Sequence, residues 1–326
     1  MSLQSLREMM GQYTAADAEI RAQVIEFERK ETKDRKPYVR MKLCDGSAAA
    51  ELSVWNDNPV FATVLSIEVG QCLALTGTFQ AGKYGLESKS WSFRKLEGEE
   101  RAAVFAGPAD LRSKQERDWA GLLDAVESCP AGSLKTLALL LLGECEEPYR
   151  RAGAARANHH ARRGGLVEHV SLMAQSAVAL CGIYPELRRD LLVCAVVFHD
   201  CGKIVENQHE KEGFAMPFSF RAEAYGHIVI GIEMARTMWK KLPEETQKGD
   251  EQLLHALCHC IASHHGELEW GSPVVPKLPE AAALHFIDNL DAKLEMFRAA
   301  KLTGKLVAPG VIEGPRPLPR SILTLE

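Results

Sequence analysis

The hydrophobic periodicity of this 326-residue chain changes once, near residue 100, and that change constrains the fold more than any single motif. Before it, Val39, Met41 and Leu43 alternate with Arg40 and Lys42. An Asp45-Gly46 turn follows, and Ala50, Leu52 and Val54 then alternate with Glu51 and Ser53. A period of two marks half-buried antiparallel strands, because successive side chains leave opposite faces. After the change the period is helical. Leu166, Val170, Met173, Ala177 and Leu180 share one face, as do Leu192, Ala195, Val196 and His199, and again Leu253, Leu257, Cys260 and His264.

Within the first part, a short helical piece is expected over residues 59–67, with extended character resuming over 70–79 and 86–96. Three strands, a helix and two strands predict a small antiparallel β-barrel of the OB type over residues 17–97, after an N-terminal segment 1–16. Residues 98–108 read as a linker. The second part, 109–298, is expected to be an all-α domain, followed by an extended, loosely attached Pro/Gly-rich tail over 299–326. The fold class expected is therefore α+β, multidomain.

Bulk properties narrow the classes further. With 39 basic and 44 acidic residues the net charge is −5, which argues against a basic-coated protein but not against local phosphate binding. No run of about 18–20 uninterrupted apolar residues is present, so no membrane span is expected. The segment MSLQSLREMMGQY carries charge and lacks a secretory apolar core. Nine cysteines without paired spacing suit a reducing cytoplasm. Cys258-His259-Cys260 is set aside as a metal tract, because positions i and i+2 do not face one another on a helix.

The chemistry-bearing residues lie in the helical part. His199 and Asp200 close the apolar run Leu191–Phe198, where an unpaired carboxylate would cost several kcal/mol to bury. His169 points inward with Leu166 and Met173. Leu284, Ile287, Leu290 and Leu294 define a last helix that carries Asp288 and Asp291 beside its apolar stripe. His227 opens a helix after Tyr225-Gly226, and His264-His265 close another. Any one of these is weak, since a lone inward histidine is usually a core residue. Together they have one common justification, a divalent cation. Imidazole and carboxylate without thiolate suit Mn, with Fe, Mg, Co, Zn or Ni as alternatives. Four histidines and two aspartates exceed one ion's needs, so two ions are expected, with Asp200 shared between them and a bridging water activated for in-line attack.

The motifs GGLVEH (164–169), HDCGK (199–203), YGH (225–227), SHHG (263–266) and HFIDNLDAK (285–293) resemble those of HD-domain metallophosphohydrolases. With the amino-terminal barrel and ANHHARRGGLVEH, the chain resembles the YhaM-type 3′→5′ exoribonucleases over roughly residues 17–298. That resemblance implies His169, His199, Asp200 and Asp288 around one ion and His227 and His264 around the other. His265 either completes the second site or touches phosphate. It also implies that Lys203 faces a substrate phosphate, so that Asp200, Lys203 and His265 form the catalytic set. His159 and His160 stay unassigned.

Seven basic residues against two acidic ones lie between Arg29 and Lys42, with Tyr38 among them. Arg29, Lys30, Lys33, Arg35, Lys36 and Tyr38 are therefore the expected strand-binding set, with Trp55, Tyr84 and Trp91 as further stacking aromatics. A second basic cluster (Arg150, Arg151, Arg156, Arg162 and Arg163) precedes His169. Arg162 and Arg163 are expected to guide phosphates toward the metals. Residues 204–226 read as a long irregular insertion, expected to act as a lid. The function expected is metal-dependent 3′→5′ hydrolysis of single-stranded RNA, with DNA and oligomeric state left open. The alternatives are a phosphohydrolase of free or cyclic nucleotides and a non-catalytic nucleic-acid-binding regulator.

Overall fold

A computed structural model describes residues 1–10, 15–82, 85–88, 90–156 and 160–325; Tyr84 and His159 lie outside them. The chain divides into two compact units, Met1–Ser113 with Glu210–Ala215, and Lys114–His209 with Met216–Glu326.

The first unit opens with helix α1 (Leu3–Met10), followed by strands β1 (Ala16–Glu31), β2 (Pro37–Cys44) and β3 (Ala49–Trp55). Helix α2 (Phe61–Val64) precedes β4 (Cys72–Gly82), β5 (Gly85–Glu87) and β6 (Trp91–Lys95), and α3 (Gly98–Ala106) ends the run. The sheet order is β1-β2-β3-β5-β4-β6, and β1 also pairs with β4. β1 is long enough for both partners: Ala16–Gln23 pairs with β4, and Gln23–Glu31 pairs with β2 across an irregularity at Val24–Glu26. Alternation decides the buried face, so β2 buries Val39, Met41 and Leu43 beneath Leu52, Val54, Leu73 and Leu75. Residues 1–10 are more than a leading segment. Leu3 and Leu6 are fully buried, and Asp45 Oδ2 accepts from Leu3 N at 2.7 Å. The expected linker is largely α3, which buries Val104 and Phe105.

Residues 210–215, within the expected lid segment, belong to the first unit. Phe214 N donates to Gln23 Oε1 at 3.0 Å, and the Phe214 ring lies 5.7 Å from that of Phe105. Six residues of the insertion thus belong to the sheet unit, and Phe214 is the one that enters its core.

The second unit takes in most of α4 (Ala109–Glu127), then α5 (Ser133–Glu144), α6 (Glu146–Arg151), α7 (Gly165–Ile183), α8 (Arg189–His199) and α9 (Lys203–Glu206). It continues through α10 (Phe220–Trp239), α11 (Glu244–Gln247), α12 (Glu251–Ser263) and α13 (Pro279–Thr303). Every residue of α8 from Leu191 to His199 is buried, which identifies a central helix covered on all sides. α7 is long and apolar enough to cross a membrane by length and composition, yet it packs on α8 and buries Glu168, His169 and Ser171, as a core helix does. The tail is not loose. β7 (Leu306–Ala308), β8 (Val311–Glu313) and β9 (Ser321–Leu323) form a small antiparallel sheet, and Ile312 and Ile322 pack with Met296 and Ala300 of α13.

Candidate metal centre

Helix ends carry ligand-type side chains to one place in the second unit. His169 lies in the second turn of α7, His199 ends α8 and Asp200 follows it. His227 comes directly after Gly226, where α10 is interrupted by a non-helical residue at φ 70°. His264 and His265 follow α12, and Asp288 lies on α13. Gly202, in the turn after Asp200, lets two segments meet closely, for a Cβ there would stand 2.1 Å from the His227 carbonyl oxygen.

Asp200 is central. Its Oδ2 lies 3.3 Å from His199 Nε2 and 3.9 Å from His169 Nε2. Its Oδ1 lies 3.5 Å from His227 Nε2 and 3.7 Å from His264 Nε2. Asp288 Oδ1 is 3.3 Å from His169 Nε2. Two sets result: the ligand atoms of His169, His199 and Asp288 lie within 4.8 Å of one another, as do those of His227, His264 and His265. One Asp200 oxygen faces each set. His264, expected there, and His265, left open by the sequence, both have ring nitrogens in the second.

The far nitrogen of each ring is held. Nδ1 of His199 meets the Val196 carbonyl at 2.8 Å, that of His264 the Ile261 carbonyl at 2.8 Å, and that of His265 the Trp270 carbonyl at 2.9 Å. His227 Nδ1 meets Glu206 Oε2 at 2.8 Å, and His169 Nδ1 meets Asp291 Oδ2 at 2.7 Å. Carbonyl and carboxylate oxygens only accept, so each Nδ1 carries a proton and each Nε2 is the nitrogen that faces a ligand set. This is the outer-shell pattern that orients metal-binding imidazoles. Nε2 of His199 and His227 and Oδ1 of Asp200 have no hydrogen-bond partner among the described residues. Acceptor atoms buried together without donors are costly, and a divalent cation in each set resolves the cost. The residues present fit two such ions.

Electrostatics agree. Burial tends to raise the Asp200 carboxyl, but Lys203 and His199 hold it well below its ordinary value. Burial and then His199 push His264 well below its ordinary value, and burial and then His227 lower His265, so both stay neutral as ligands require. Burial opposes protonation of His169, yet Asp288 and Asp291 outweigh it and raise the ring to about 9. Carboxylates there call for positive charge.

Other expected residues lie outside the two ligand sets. Lys203 pairs with Asp200 Oδ2 at 2.6 Å, beside a cavity of about 210 Å³ that also includes His265, Asp288 and Asn289. Arg162, expected to guide phosphate, is engaged by carboxylates. It bridges Glu168 and Glu295, the latter at 2.9 Å, because two nearly buried carboxylates draw it inward. Arg163 is half-buried, and burial followed by Arg151 lowers it to about 10. Arg150 and Arg151 pair with glutamates, and Arg156 donates to the carbonyls of Met216 and Glu206. In the first unit, Tyr38 stacks on Trp55 with centroids 4.7 Å apart. Both line a groove with Arg40, Lys42 and Ser53. Lys33, Arg35 and Lys36 are exposed, whereas Arg29 donates to the Leu65 carbonyl at 3.0 Å and Lys30 pairs with Glu28 at 2.7 Å.

Sequence reasoning missed His160, Glu206 and the role of Asp291. Asp291 Oδ2 meets both His160 Nε2 at 2.9 Å and His169 Nδ1 at 2.7 Å. The i, i+3 spacing of Asp288 and Asp291 was the available signal.

This geometry gathers histidines and aspartates that could hold metal in a helical domain, and residues 166–293 match the HD domain family. Membership of that class makes the protein a metal-dependent hydrolase. Similarity extends well beyond the domain. The 3′-5′ exoribonuclease YhaM of Geobacillus sp. (strain WCH70) is 31% identical over 81% of this chain and 79% of its own length. That of Bacillus subtilis (strain 168) is 30% identical over 81% of each, and that of Bacillus velezensis 42% over 45% of this chain and 44% of its own. The chain belongs to the YhaM family. No solved structure matches it.

Proposed function

We propose that the protein is a 3′→5′ exoribonuclease that hydrolyses the terminal phosphodiester of single-stranded RNA at a two-cation centre. The observation that carries this reading is Asp200, whose two oxygens each face a separate ligand set. His169, His199 and Asp288 would hold one ion, His227, His264 and His265 the other, and Asp200 both. Two divalent ions, Mn first among the candidates, supply Lewis-acid stabilisation of the phosphate and a water acidic enough to ionise near neutral pH.

The remaining work falls to side chains. Lys203 lies on the cavity wall beside Asp288, so its ammonium can meet a non-bridging phosphate oxygen as charge develops there. Asp291, Glu206 and the carbonyls of Val196, Ile261 and Trp270 fix the imidazoles, which lowers the reorganisation needed when substrate arrives. The strand itself is assigned to the sheet unit. The β1–β2, β2–β3, β3–β5, β5–β4 and β4–β1 pairings run in a ring, as in an OB barrel. Tyr38 on Trp55 offers a stacking surface, with Arg40, Lys42 and the exposed Lys33, Arg35 and Lys36 for the backbone. Nine free cysteines among the described residues support a cytoplasmic site of action.

The test is digestion of single strands labelled at the 3′ or 5′ end, RNA and DNA in parallel, with Mn²⁺, Mg²⁺ or chelator. The 3′ label should be released first, only with metal, and mononucleotides should turn over far more slowly. His199→Ala and Asp200→Ala should abolish hydrolysis and leave strand binding nearly intact. Release of the 5′ label first, or full activity in chelator, would reject the proposal.

A further inference from the structure

Beside the second ligand set stands a side chain that neither the metal centre nor the fold explains. Leu268–Trp270 form one turn of 3₁₀ helix, closed by Gly271 in the left-handed region at φ 84°. The Trp270 carbonyl accepts the His265 Nδ1–H at 2.9 Å, so this turn is bonded directly to a ligand-set imidazole. The indole is 58% exposed, yet it lines the same cavity as Lys203, His265, Asp288 and Asn289. An indole left this open contributes little to a core.

Its mount is rigid. The His285 ring lies 5.9 Å from that of Trp270 at 40°, and His285 Nδ1 donates to the His264 carbonyl at 2.9 Å. Gly266 makes room for that arrangement: a Cβ there would fall 2.3 Å from the imidazole. Phe286, 69% exposed, extends the aromatic surface 5.2 Å beyond His285. A flat π-face is therefore held at a fixed position in the wall of the cavity that would receive the phosphodiester.

We infer that Trp270 is the platform on which the base of the 3′-terminal nucleotide stacks while the adjoining phosphodiester occupies the metal centre. The inference rests on the function proposed above and names a subsite for its substrate. An enzyme that removes successive nucleotides needs a contact indifferent to base identity, and stacking meets that need because every base has a π-face. A hydrogen-bonded base pocket would discriminate among bases and stall on the wrong one.

A double cycle tests it. The value of kcat/KM is measured with Mn²⁺ for a short RNA ending in adenosine and for the same RNA with an abasic last nucleotide, using wild type, Trp270→Ala and Trp270→Phe. Removing the base should cost the wild type about tenfold, and Trp270→Ala should cost about tenfold on intact RNA. On the abasic strand wild type and Trp270→Ala should agree within about twofold, since the two changes delete one interaction. Trp270→Phe should restore most of the loss. An equal loss on both strands would mean that the residue acts through His265 or the fold, and would overturn the inference, as would no loss on intact RNA. A wild-type protein that shortens neither strand would overturn the nuclease reading itself, and the stacking role with it.

Discussion

Asp291 contacts no candidate ion, yet its removal should weaken metal binding measurably. Its Oδ2 accepts from His169 Nδ1 at 2.7 Å and from His160 Nε2 at 2.9 Å, and the residue is 8% exposed. Each is a hydrogen bond to a buried carboxylate, worth about 1.5–3 kcal/mol. Only the bond to His169 touches a ring whose Nε2 enters a ligand set. With about 1.4 kcal/mol per factor of ten, Asp291→Ala should weaken one ion by roughly 10- to 100-fold, which is the usual range for an outer-shell partner. Asp291→Asn separates charge from geometry, because an amide oxygen in the Oδ2 position can still accept from both rings. It should cost about tenfold or less. Isothermal titration of chelator-stripped protein with Mn²⁺ reads this directly, with two steps of which one shifts. The reasoning fails if Asp291→Ala binds both ions within about twofold of wild type, or if both steps shift equally.

Three further outcomes follow from particular contacts. Gly202→Ala places a methyl group against the His227 backbone, so the protein should lose about 1–3 kcal/mol of stability together with Mn²⁺ binding at the His227 set; a melting temperature unchanged in a thermal scan would contradict this. Tyr38→Ala removes a stacking face and should weaken single-strand binding by about tenfold in fluorescence anisotropy, with mononucleotide turnover unaltered; unchanged strand affinity would remove the groove from the binding surface. Burial raises the thiols of Cys44 and Cys129 to about 11 and that of Cys260 to about 12, above the ordinary thiol value near 8.5. The folded state then holds these protons longer than the unfolded chain. Their contribution is complete below about pH 8.5 and lost as pH rises toward 11–12, so urea midpoints should fall between pH 8 and 10. Midpoints that climb over that interval would refute the assignment.

How much of this centre can be read from the sequence depends on which face each residue takes. α8 is legible because Leu191–Phe198 are apolar throughout, which forces His199 and Asp200 into the interior with them. α13 misleads. Its expected stripe of Leu284, Ile287, Leu290 and Leu294 is only half buried: Leu284 and Ile287 are inside, while Leu290 is 57% and Leu294 44% exposed. Asp288 and Asp291 take the inner face instead, where Asp288 meets His169 and Asp291 meets both His160 and His169. Hydrophobic patterning thus underweights a polar residue whose partner is remote in sequence. The same blindness explains Arg162. A run of arginines reads as a phosphate guide, but carboxylates from residues 168 and 295 are invisible to a local reading and draw the side chain inward.

The β-strands of the first unit followed from alternation, whereas its attachments did not. α1, α3 and residues 210–215 are held by long-range contacts that include Asp45 on the Leu3 amide, Phe105 against Phe214, and Gln23 on the Phe214 amide. None of these carries a periodic signature, because each joins one residue to a partner remote in sequence. A ligand constellation differs in kind. It needs several residues of restricted chemical type at once, and each must sit on an element whose burial the pattern already predicts. That joint requirement is what makes His169, His199, Asp200, His227, His264 and Asp288 conspicuous together when each alone is ordinary. It also explains why their supports, chosen only to accept one proton from Nδ1, can be a backbone carbonyl as readily as Asp291 or Glu206.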